Sequence, residues 1–221
     1  LLRCLLDIFR RAKSKKQRFS PSSRNLPELW SAGPEHPRLD LLDNAPTEVL
    51  SELCDDYWNC LLVARTEFDK FIIPDFRVHR RAIEIIATRG TDALLWARKR
   101  LSHADYFARE DAAGLIHQWA RAGQLGRSTE AVAVELLTLA VTPPKEDCKE
   151  AQAASAALLA LSIIGGSACR AAVRHVLTSA DWDDDENQWL CAEILAKAEN
   201  KPFMDTENPI EAARSWLAAN P

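Results

Sequence analysis

At 221 residues, with 47% apolar and 27% charged side chains, the chain has the make-up of a globular protein with room for a sizeable core, and many Leu and Ala against two tyrosines lean towards helix. The net charge of −4 is laid out in blocks, +7 over residues 1–24, −8 over 25–76, +5 over 77–127 and −8 over 128–221, an asymmetry that speaks to partners and not to fold. Six cysteines without a CxxC pair exclude a disulfide framework and imply reduced thiols in a cytoplasmic protein, while five histidines without HExxH or Cys/His spacing exclude the usual zinc sites, so neither metal nor cofactor is expected.

In chain order, Leu1, Leu2, Leu5, Leu6, Ile8 and Phe9 recur at helical spacing ahead of Arg10, Arg11, Lys13, Lys15, Lys16 and Arg18. This short amphipathic basic segment is a poor match to a secretory signal, because its charges follow the apolar run, and a membrane span needs ~20 apolar residues. It reads as a first helix docked on the helical repeats, or as a weak membrane-surface contact through residues 1–18. Pro21, Pro27, Pro34, Pro37 and Pro46 then make residues 20–47 an irregular connector, with Leu29 and Trp30 placed to pin it. The domain division expected is therefore 1–46, amphipathic helix and Pro-rich connector, and 47–221, a helical domain.

Helix resumes near Thr47, expected as the N-cap, and Leu50, Leu53, Cys54, Tyr57, Trp58, Leu61 and Leu62 trace a buried face. Beyond Pro74 helices come in pairs. The first joins the stretch around Val78, Ala82 and Ile86 to Ala93–Leu101 through Gly90; the second joins 106–121 to 129–141; the third joins 147–164 to 167–179 through Gly165 and Gly166. A fourth, 187–199 with 210–219, is interrupted by Pro202 and Pro209 and reads as a cap. Gly90, Gly126 and Gly166 lie 36 and 40 residues apart, the spacing of stacked helical hairpins. Aligned from Gly90 and Gly166, Ala93, Trp96, Ala97 and Leu101 fall on Cys169, Ala172, Val173 and Leu177, which keeps apolar character at each step. With Arg81-Ala82, Gly90-Thr91-Asp92-Ala93, Leu101 and Asp111-Ala112-Ala113, the segment 75–200 resembles HEAT-repeat proteins. The resemblance implies an all-α fold, a right-handed α-solenoid of about four hairpins behind an irregular N-terminal segment.

Two groups of residues stand out for recognition. Asp181, Trp182, Asp183, Asp184, Asp185 and Glu186 form the densest acidic run, without the EF-hand spacing. It reads as a solvated loop feeding a helix N-terminus or as an acidic patch for a basic partner, with Trp182 as an interface anchor or as a staple onto the next repeat. Arg98 and Lys99 belong to the basic block of 77–127, which would grip phosphates if its arginines converged near Trp96 or Trp119. Neither a GxSxG elbow nor a phosphate-binding glycine loop is present, and Gly165-Gly166-Ser167 is a turn. The expected function is a non-enzymatic protein-binding scaffold, in one version a bacterial immunity or adaptor protein for a basic partner. The alternative is a HEAT-like nucleic-acid-binding protein or base-excision enzyme using residues 77–127.

Overall fold

The computed structural model describes Leu29 and residues 37–66, 76–143, 148–182 and 184–220; the expectations for residues 1–18, Trp30 and Asp183 lie outside them. The described residues form helices and turns with no strand. They divide at Ala93–Leu94 into two units, so the domain expected over 47–221 contributes to both.

In the first unit a 3-10 turn, Leu39–Asn44, leads into α1 (Thr47–Thr66), which packs on α2 (Phe76–Thr88) ahead of a second 3-10 turn, Gly90–Ala93. Leu29, Leu42, Leu50, Trp58, Ala82 and Ile86 form its fully buried core. Tyr57 stacks on His79 at 4.1 Å and Trp58 meets the same imidazole edge-on at 5.5 Å, which joins α1 to α2 through aromatic faces. Thr47 is not the N-cap. It stands one residue inside the helix, and its hydroxyl accepts from the Arg89 guanidinium at 3.2 Å. Arg89 also donates to the Asp43 carbonyl, and Arg81 donates twice to the Asp43 carboxylate at 2.6 and 3.2 Å, so the first turn is tied to α2 by arginines. Gly90 has φ of +68°, a left-handed backbone that a side chain would strain, and this lets the chain reverse directly after α2.

The second unit contains α3 (Leu94–Arg100), α4 (Tyr106–Arg121), α5 (Thr129–Ala140), α6 (Cys148–Ile164), α7 (Gly166–Thr178), α8 (Asp185–Glu199) and α9 (Pro209–Ala219). Neighbour relations run in two series, α4 to α6 to α8 and α5 to α7 to α9, with α6 also against α5 and α7, and α8 against α7 and α9. The most extensive packing is α4 on α6, and Ala112 and Ala113 of α4 and Ala153, Ala154, Ala157 and Ala160 of α6 are all at most 2% exposed. Small side chains there let the backbones approach, and Leu115, Ile116, Leu158 and Leu161 fill the space alongside. The sequence pairing of α4 with α5 is looser than expected. The two make little direct backbone contact, and α5 packs instead on α6.

Local chemistry sets the ends of these helices. Asp105 caps α4 by accepting from the Phe107 amide at 2.9 Å, and Asn208 caps α9 by accepting from Glu211, with Pro209 at the first helical position. Cys169, Ala172, Val173 and Leu177 are buried, as are Ala93, Ala97 and Leu101, while Trp96 is half-buried.

Overpacking the alanine seam tests this packing. Ala157→Leu is expected to cost about 1–3 kcal/mol in chemical denaturation. Ala171→Leu on the exposed face of α7 should stay within about 0.5 kcal/mol of the parent. Equal midpoints for the two variants would contradict a tightly packed seam.

Candidate functional site

The second unit carries a cleft of about 740 Å³ walled by the end of α3 and the turn after it, the start of α4, and the C-terminal half of α5. The turn is held by local hydrogen bonds. Leu101 and His103 amides donate to Arg98 and Arg100 carbonyls, the Asp105 amide donates to His103 Nδ1 at 3.0 Å, and Arg109 reaches back from α4 to donate to the carbonyls of His103 and Ala104 at 2.7 and 3.0 Å. Arg109 thus answers carbonyls that the chain leaves beyond the end of α3. Leu101, Leu139 and Ala154 form a buried apolar floor, and Leu95 stands 64% exposed at the rim.

Arg98 and Lys99, singled out from sequence, both line this cleft. Arg98 forms a fork with Glu135 of α5, Nε to Oε2 at 2.9 Å and Nη2 to Oε1 at 2.5 Å, and the Glu135 hydrogen bonds push the guanidinium pKa up. With both side chains partly open to water, such a pair contributes roughly 0.2–1 kcal/mol, so its main effect is to set the α3–α5 geometry. Lys99 is exposed one position on.

The acidic run lies elsewhere, at the connection from α7 to α8, and none of its described residues lines the cleft. Asp181, Asp185 and Glu186 are exposed, the last two in the first turn of α8, where carboxylates offset the helix dipole. Half-buried Asp184 accepts from Asn187 Nδ2. Asn187 is fully buried; it also donates to the Ala151 carbonyl at 3.1 Å and accepts from the Ser155 hydroxyl at 2.7 Å, which fastens α8 to α6.

Trp182 is no exposed anchor. It is 3% exposed, its carbonyl accepts from Gln188 Nε2 at 2.7 Å, and Arg214 of α9 donates to both Gln188 Oε1 and the Leu177 carbonyl. The residue is a staple that closes the joint of α7, α8 and α9. Trp189, by contrast, is 48% exposed on α8, beside Glu193 and Lys197, which pair with each other. The signal was available in the spacing of Trp189, Glu193 and Lys197, one helical stripe that carries two charges.

Several arginines of the basic block are engaged within their own units. Arg80 pairs with Glu84, Arg81 with Asp43 and Glu84, Arg98 with Glu135, and Arg100 lies 5.9 Å over the Trp96 ring, while Trp119 is 1% exposed. Burial pushes the Glu110 carboxyl up, reinforced by Asp111, and pushes the His117 imidazole down, reinforced by Arg121. These two groups stand seven residues apart on α4, about 10 Å of helix rise, too far to share a proton. Burial likewise pushes the thiols of Cys169 and Cys191 up. Among the described residues no three His, Cys, Asp or Glu side chains cluster as a metal site, and no helix is long and apolar enough to cross a membrane.

Comparison of the chain with family models, with curated proteins and with solved structures finds no match.

Burial of one tryptophan and exposure of the other set opposite expectations for their removal. Trp182→Ala should destabilise the chain by about 3–5 kcal/mol in urea. Trp189→Ala should change it by less than about 0.5 kcal/mol, and a reversed order would restore Trp182 to the surface. For the thiols, pKa values raised by burial leave little thiolate at pH 8. Iodoacetamide should therefore modify Cys169 and Cys191 at least ~10-fold more slowly in the native chain than in urea, as read by peptide mass spectrometry.

Proposed function

We propose that this chain is a protein-binding module, a right-handed HEAT-like α-solenoid that works without catalysis and holds a partner in the cleft between α3, α4 and α5. Two series of helices, each packed on the next, support the solenoid reading. The observation that carries the binding reading is the cleft itself. An apolar floor with an exposed leucine and charged side chains at its edge is the chemistry that buries a segment of polypeptide. Buried cysteine thiols fit a reducing, cytoplasmic setting.

The basic partner expected from the net charge would be steered at long range by the exposed acids Asp181, Asp185 and Glu186. An immunity or adaptor protein is one biological version of this role. The nucleic-acid reading draws on the same basic block, but its arginines are largely engaged within their own units and Trp119 is buried, so the geometry supports a protein ligand better.

Capture from nuclease-treated native lysate, followed by quantitative mass spectrometry, tests this reading with the parent chain and Leu95→Glu. One or a few proteins should be retained by the parent and depleted ~10-fold by the variant, a difference of about 1.4 kcal/mol. Identical retention by both chains would count against the cleft. Retention that disappears on nuclease treatment would favour nucleic acid.

A further inference from the structure

We propose that the open face of α6 pairs with the same face of a second copy of this chain, antiparallel and across a twofold axis at Leu159. This goes beyond the cleft and does not depend on it, since Ala154, the described residue of α6 in the cleft wall, is buried and lies off this face. Gln152, Ser155, Ala156, Leu159 and Ile163 recur at helical spacing along the face. Leu159 is 40% and Ile163 46% exposed, and among the described residues they are the only large apolar side chains exposed one turn apart on one helix. The open side of a surface helix ordinarily carries charges, yet no charged residue stands between Glu150 and Arg170.

Charge and shape both select a second copy as the occupant. At a twofold axis a central side chain meets its own copy, so a charge there would oppose its own sign, and this face has none. Side-chain size is graded along it, with Ser155 and Ala156 towards the start of the helix and Leu159 and Ile163 towards its end. Antiparallel overlap centred on Leu159 sets each Ile163 over the short side chains at 155 and 156 of the other copy, the reciprocal matching that an isologous contact requires. Short side chains at the crossing also let the two helices approach. The serines on this side need no outside partner. Ser155 donates to Asn187 Oδ1 at 2.7 Å and Ser162 to the Leu159 carbonyl at 2.8 Å, which leaves chiefly apolar surface to be covered. From position 152 to 163 the strip is about 17 Å long and about 10 Å wide. That is well under the roughly 800 Å² per partner of a standard interface, so the pairing is weak and reversible, with a Kd of ~10–100 µM.

Sedimentation velocity of the full chain from ~5 µM to ~500 µM, a range that brackets this Kd, tests the proposal. The parent should pass from monomer to dimer. Leu159→Glu and Leu159→Lys should each associate at least ~10-fold more weakly, and an equimolar mixture of the two should regain the parent's association, because opposite charges then meet at the axis. Leu159 is exposed, so circular dichroism of both variants should match the parent. Leu95→Glu, in the cleft, should associate as the parent does, which separates this pairing from the partner reading above. A parent that stays monomeric at the highest concentration, association that survives Leu159→Glu, or a mixture no more associated than its components would overturn the pairing. Capture of a different protein by a monomeric parent, lost with Leu159→Glu, would also overturn it and give the face to that partner.

Discussion

The close approach of α4 and α6 is the constraint on which the second unit depends. Alanines at 112, 113, 153, 154, 157 and 160 are buried almost completely, and each lacks the side-chain entropy and bulk that would hold two helices apart. Everything further out is placed by this seam. Helix α5 packs on α6 instead of on its sequence partner α4, and Ala154 of α6 forms part of the cleft floor. A wider seam would move α5, with Glu135, away from α3 and its Arg98. Recognition chemistry at the cleft is therefore a consequence of the packing beneath it.

Helix positions were legible from sequence because their signals are local and mutually consistent. Glycines at 90 and 165–166 take left-handed backbone at the turns expected of them, whereas the caps at Asp105 and Asn208 were not read from sequence and Pro209, read as an interruption, is the first residue of the last helix. What escaped is the order of packing. The weak contact between α4 and α5 depends on how both meet α6, and a helix-period pattern shows which side chains are buried but not against which neighbour.

The site was legible only in part, for an electrostatic reason. Charged residues were grouped by position along the chain, whereas the structure pairs them across it. Arg81 meets Asp43 from 38 residues away and Arg98 meets Glu135 from 37, so part of the +5 block is paired with acids from outside it. Arg98 and Lys99 reached the cleft as candidates, but the acidic run and Trp182 did not, because Gln188 and Arg214 fold that joint inward. An aromatic ringed by acids resembles an anchor in sequence. Here the polar network of Trp182, Gln188 and half-buried Arg214 makes it a structural joint, and among the described residues the exposed tryptophan is Trp189 on α8.

Native-state hydrogen exchange reads the central claim most directly, since the seam should open only when the whole second unit unfolds. Amides within Ala112–Ile116 and Ala153–Leu161 are predicted to exchange slowest and with a common opening free energy equal to that of global unfolding. Faster exchange in those two segments than in α9, or separate opening of α4 and α6, would contradict the account.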